Sequence, residues 1–139
     1  MEPAEQQTAL EIWAQRLIRT QVDAAGDALA AYCKKPKSAK RLHAARKQLA
    51  RLRAALDDLS MPAGVAPEFR DRVQTLHKRA GRIRDADVLL ARLDEYDRAA
   101  FGTARKELNA MARELRRRRK KARSKFLNEI AQTVSELHR

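Results

Sequence analysis

Apolar residues recur at helical spacing along most of the chain. In residues 5 to 32, Leu10, Trp13, Leu17, Ala24, Ala28 and Tyr32 stand at intervals of three, four and seven, which predicts an amphipathic helix with this stripe as its core face. Pro36, within KKPKS at 34 to 38, ends that helix, and Ser38 is placed to cap a second one from about Ser38 to Leu59. There Leu42, Ala45, Leu49, Leu52, Leu56 and Leu59 share one arc of roughly 100°, the width of a core-facing stripe. MPAGVAP, 61 to 67, reads as a turn. Pro67 would open a third helix, with Glu68 and Asp71 where the helix dipole favours negative charge. Phe69, Val73, Leu76 and Ala80 face inward, Gly81 interrupts, and the pattern resumes with Ile83, Ala86, Leu89, Leu90 and Leu93. Gly81 is then either a kink or a short break between two helices. After a turn near Ala99 to Thr103, a long stripe follows to about Leu137: Ala104, Leu108, Met111, Leu115, Ala122, Phe126, Ile130, Val134 and Leu137. The expected fold is all-α, an antiparallel bundle of four helices, or of five or six if Gly81 and the arginine-rich middle of the last segment are breaks.

Composition supports this class and narrows the partners. The 139 residues include only four glycines and four prolines, and the length suits one domain over 1–139. Thirty-one Lys and Arg against eighteen Asp and Glu leave a formal charge of +13, so the natural partner is expected to be a polyanion: nucleic acid, anionic lipid or inorganic polyphosphate. The one cysteine, Cys33, has no internal partner for a disulfide, and the three scattered histidines have no zinc-site spacing, so neither metal nor cofactor is expected. No stretch approaches a membrane span and MEPAEQQTALEIW lacks the features of a signal peptide, which predicts a soluble, cytoplasmic protein.

Two basic constellations stand out. On the second helix, His43 points away from the leucine stripe, and Lys40, Arg46, Lys47, Arg51 and Arg53 lie around it within roughly 160°, with Ala50 and Ala54 between them. Such a run is ordinarily a solvated helix face. Against that stands the lack of compensation: Lys34 to Leu56 holds nine Lys and Arg and no acid, so the usual i to i+4 pairs are missing and an external counterion is favoured. The second constellation is RRRRKKARSK, 116 to 125. Most of it must be solvated, but Arg119 falls on the apolar stripe, with Arg123 at its edge. Either Arg119 meets a carboxylate such as Asp85 or Asp87, or it lines a cavity that receives an anion.

Catalysis finds no support in the residues. His43 has no nucleophile to serve, no Gly-rich phosphate loop occurs, and Asp85 and Asp87 are too few to hold catalytic Mg²⁺ and better suited to pairing with arginine or capping a helix after Gly81. The protein is therefore expected not to be an enzyme. Aromatic residues are few and mostly on apolar stripes, whereas single-stranded nucleic-acid binders interleave them with cations.

HAARKQLARLRAAL, followed about thirty residues on by GRIRDADVLLARL, resembles the CHAD family, the conserved histidine α-helical domain. His43, Arg46, Arg51, Leu52 and Arg53, then Gly81, Arg84, Asp85, Asp87 and Val88, match its two motifs in order. The resemblance covers residues 5 to 137 and implies a helical bundle that binds inorganic polyphosphate through basic side chains lining a central surface or pore. Carried over with the basic constellations, the expected site is Lys40, His43, Arg46, Lys47, Arg51, Arg53, Arg82, Arg84, Arg116, Arg119, Lys120 and Arg123, on a surface formed by helix 2 and the C-terminal helix. Two departures are visible. The family typically has two similar halves and this chain carries one motif set, so a homodimer is the simplest way to restore the pair. Ala50 stands where a further arginine is frequent. The E-x-E-x-K-like strand of the catalytic fold sometimes joined to such domains does not occur. Association with polyphosphate granules follows as an expectation; the alternative is a basic helical protein that binds nucleic acid or is associated with granules without chain selectivity.

Overall fold

A computed structural model describes residues 3–137, with side chains described for 8–136. Four helices make up the described chain and no strand occurs among those residues: α1 (Pro3–Lys34), α2 (Ala39–Ala63), α3 (Pro67–Ala99) and α4 (Thr103–Leu137). The all-α expectation therefore holds at its lower helix count. Residues up to His77 and residues from Lys78 on form two compact units.

The first unit is built on the pairing of α1 with α2. Lys35, Pro36 and Lys37 reverse the chain, and Ser38 caps α2, its hydroxyl accepting from the Arg41 backbone N–H at 3.2 Å. Cross-helix hydrogen bonds fix the antiparallel register, from Arg41 Nη1 to the Ala31 carbonyl at 2.7 Å and from Gln15 Nε2 to the Ala63 carbonyl at 3.4 Å. Leu42, Ala45, Leu49, Leu52 and Leu56 are buried as the stripe requires, and Leu59 is half-buried. Leu49 and Leu56 are fully enclosed, so truncating either to alanine should cost about 3 kcal/mol.

The helix runs one turn past Leu59 because Pro62 sits in its final turn, where only one backbone bond is forfeited. Gly64 closes it at φ 68, with the Gly64 and Val65 N–H groups bonding to the Met61 and Ser60 carbonyls. Only glycine adopts this left-handed geometry without strain. The part of α3 belonging to this unit packs back against α2, with Arg70 Nη2 2.6 Å from Asp57 Oδ1.

In α1 the sequence expectation needs correction. The buried residues are Ala14, Ile18, Ala25, Leu29 and Tyr32, whereas Leu10 and Trp13 are exposed and Leu17, Ala24 and Ala28 are half-buried. Two apolar stripes adjoin on this helix. Ile18 and Leu29 are buried with the core, and the bulkiest residues of the other stripe, Leu10 and Trp13, are left outside.

The second unit is an antiparallel hairpin of α3 and α4. Ion pairs record its register: Arg79 Nη2 with Glu129 Oε1 at 3.5 Å, Arg119 Nη1 with Asp87 Oδ1 at 2.9 Å, and Arg105 Nε with Asp97 Oδ1 at 3.5 Å. Ala80, Ile83, Ala86, Leu93, Ala112, Phe126, Ile130 and Thr133 are buried. Leu89, Met111 and Val134, expected on the core stripe, are each about half exposed, since a two-helix seam covers a narrower arc than a full bundle would. The side chain of Leu137 lies outside the described residues.

Neither suspected break is present. α3 passes through Gly81 and α4 through the arginine run without interruption. One glycine costs a helix about 1 kcal/mol, which the buried residues Ala80 and Ile83 on either side outweigh.

Candidate polyanion-binding faces

The first unit presents the α2 face much as the spacing predicts. Lys40, His43, Lys47 and Arg51 are exposed, while Arg46 and Arg53 are half-buried at the edge of the leucine stripe. None of these six pairs with a carboxylate among the described residues. The Arg46 Nε is enclosed and has no hydrogen-bond partner. Arg46 is half-buried as a whole, so part of its side chain is packed against the protein. Arg41, by contrast, is committed to the Ala31 carbonyl and belongs to the scaffold.

His77, on α3, joins this cluster and was not singled out from the sequence. Burial pushes its imidazole below the ordinary histidine range, and the positive charges of Arg53 and Arg46 push it further the same way. A neutral imidazole beside two uncompensated guanidiniums marks a place where positive potential is concentrated. Only the pairing of α3 with α2 brings them together, so no local pattern reveals it.

In the second unit the predicted cations separate onto two sides of the hairpin. Arg116 and Arg119 line a cavity of about 330 Å³ together with Asp87, Asp94 and Asp97. Arg119 is bonded to Asp87 in the wall of this cavity, so the carboxylate contact offered by the sequence is present. Asp87 thus pairs with arginine, and with α3 continuous there is no helix start after Gly81 for Asp85 or Asp87 to cap.

Arg82 lines the opposite groove, also about 330 Å³, with Arg79, Asp85, Arg118, Lys121 and Lys125 over a floor of Ala86, Leu89, Leu115 and Ala122. Arg84 and Lys120 are exposed; Arg123 is half-buried, its Nε enclosed without a hydrogen-bond partner. Sequence spacing missed Lys121 and Lys125, which the register of the hairpin sets beside Arg82.

Part of the arginine run is self-compensated. Glu114 accepts from Arg117 and Arg118 at 2.7 to 3.1 Å, which holds its carboxyl down at about 2. These contacts are fully exposed and worth little to stability. The α2 face lacks even that much compensation, and the contrast distinguishes it from ordinary helix surface.

The donor set suits oxyanions and little else. Arg offers a planar fork and Lys a mobile point charge. Among the described residues no group of three or more His, Cys, Asp or Glu side chains is arranged to hold a metal ion. No helix there is long and apolar enough to cross a membrane. Cys33 is exposed, and partial burial raises its thiol, so it has little thiolate character.

Four long amphipathic helices, one of them with an outer face of cations that lacks carboxylate partners among the described residues, define an all-helical protein. Comparison with protein families makes this specific: the profile of the CHAD domain matches residues 3–135, and the chain belongs to that family, which occurs in polyphosphate-related contexts. No curated protein and no solved structure gives a significant match.

Proposed function

We propose that the protein binds inorganic polyphosphate through the acid-free face of α2, with the arginine-rich stretch of α4 offering a second run of cations, and that it holds the polymer without cleaving it. The observation that carries this reading is the set Lys40, Arg46, Lys47, Arg51 and Arg53 around His43, spread over about 20 Å of helix with no carboxylate partner among the described residues.

Like charges at helical neighbours oppose folding unless an external anion compensates them. A polyphosphate chain supplies that anion and nothing that needs stacking. α2 accordingly carries no Phe, Tyr or Trp on which a base would rest.

Counterion release should dominate the affinity. About five neutralised charges imply a log–log salt slope of roughly −3.5, hence a loss of about 100-fold between 50 and 200 mM salt. Duplex DNA would give a similar slope, so competition is the discriminating experiment. Long-chain polyphosphate should displace a labelled duplex at equal charge concentration. If the duplex is retained, general nucleic-acid binding is the better account.

A further inference from the structure

We propose that α1 carries a self-complementary face on which a second copy of this chain docks, the two α1 helices running antiparallel about a two-fold axis between Thr20 and Gln21. The starting point is the apolar stripe that the first unit leaves outside. Leu10 and Trp13 are 48% and 55% exposed, and Leu17, Ala24, Ala28 and Ala31 continue the same arc half-buried. On a helix whose core face is supplied by Ala14, Ile18, Ala25 and Leu29, this second stripe is only partly covered, and its two largest members are left exposed.

The order of residues along the stripe identifies the occupant. Its amino-terminal half is bulky and its carboxy-terminal half is all alanine. An antiparallel copy centred between Thr20 and Gln21 sets Leu10 against Ala31, Trp13 against Ala28 and Leu17 against Ala24. Every large side chain then meets a small one, the arrangement that lets two helices interdigitate.

The charges follow the same operation. Arg16, Asp23 and Asp27 lie along one shoulder of the stripe, all exposed, and none forms an ion pair among the described residues. In an antiparallel two-fold pair that shoulder meets its own copy, bringing Arg16 to Asp27. The other shoulder is the one buried against α2, so docking does not compete with the fold. At the axis, the Thr20 hydroxyl already donates to the Arg16 carbonyl at 3.0 Å and enters the contact satisfied.

One symmetry operation thus matches size with size and charge with charge, which an unrelated partner would not require. An anionic lipid surface would answer Arg16 but leave Asp23 and Asp27 opposed by like charge, whereas a second copy answers both signs. One helix-to-helix contact lies at the small end of stable interfaces, so association in the micromolar range is expected.

The test is sedimentation velocity on the full chain, stripped of polyanion by a high-salt wash, from about one to a few hundred micromolar. A reversible monomer–dimer equilibrium is expected, with Trp13 emission moving to shorter wavelength as dimer forms. Arg16→Asp and Asp27→Arg should each weaken dimerisation by at least about tenfold, and the double exchange Arg16→Asp/Asp27→Arg should restore it to within about threefold. Both sites are exposed and unpaired, so the helical signal should be unchanged. Should an exchange variant lose that signal, Trp13→Lys provides the reading and must give monomer. A monomer throughout the range, a dimer indifferent to these changes, or single losses that the double exchange does not repair would each overturn the proposal.

Discussion

Replacing Asp87 by alanine tests how the second unit holds a charge on its core stripe. Arg119 stands in the arc of Ala112 and Phe126, one heptad from each, and both neighbours are buried. Its Nη1 lies 2.9 Å from Asp87 Oδ1, the two side chains are 26% and 18% exposed, and the Arg119 Nε already has no hydrogen-bond partner. Removing the carboxylate leaves a largely desolvated guanidinium without its hydrogen-bonded partner. Exposed pairs contribute about 0.2–1 kcal/mol, and breaking a fully buried one costs about 3–5, so this intermediate case should cost about 2 kcal/mol. At about 3–4 °C per kcal/mol for a chain of this size, the midpoint should fall by about 6–8 °C.

Urea titration followed by far-UV circular dichroism, run on Asp87→Ala, Arg119→Met and the double variant, separates the pair from its parts. The double variant should be less destabilised than the sum of the singles by about 1–2 kcal/mol. A loss below about 0.5 kcal/mol for Asp87→Ala, or strict additivity, would show that solvent already screens the pair and would refute the reasoning.

Gly81→Ala should stabilise the protein by about 0.5–1 kcal/mol, because a Cβ there meets nothing within 4 Å and the helix is continuous; a loss in the urea midpoint would contradict this. Gly64→Ala should do the reverse, costing about 1–2 kcal/mol, since the position holds φ 68. Ser38→Ala should cost about 1 kcal/mol through the lost cap, and Ser38→Asp should recover most of it. His77 gives a pH dependence with a defined sign. Its imidazole titrates below the ordinary range in the folded chain, so as pH falls the unfolded chain takes up the proton first. That contribution is therefore complete above about pH 6.5, declines below it, and levels off once pH passes the folded value. Comparing urea midpoints at about pH 7.5 and 5.5 should show a smaller decline in His77→Gln than in the parent chain; equal declines would remove His77 from the account.

The α2 face was legible because two independent patterns coincide there. Large leucines at three- and four-residue intervals fix the buried side, and the missing acids distinguish the opposite side from ordinary solvated helix. α1 was misread because it carries two adjoining stripes, and residue size favours Leu10, Trp13 and Leu17. Ile18 and Leu29 lie on the side of α1 that pairs with α2, and the choice between the two stripes is a tertiary matter that spacing within α1 does not contain. Gly81 does not break α3, since its local propensity cost is small against burial on both sides. In the second unit the basic residues were found but their sides were not. Whether Arg82 stands with Arg119 or across the hairpin from it depends on how α3 and α4 are rotated about their seam. His77 was invisible for the same reason: its neighbours Arg46 and Arg53 arrive from another helix.

The central claim is that a localised, acid-free face on α2 binds polyphosphate. It is tested most directly by titrating long-chain polyphosphate calorimetrically into the parent chain, into Lys47→Glu/Arg51→Glu, and into an Arg98→Glu control that removes one strand of an exposed pair with Asp94. Each charge-assisted contact is worth about 1.5–3 kcal/mol, so the α2 double reversal should weaken binding by at least about 100-fold, while the control should change it by less than about threefold. Equal weakening per charge in the two variants would mean that polyphosphate responds only to net charge and that α2 carries no site.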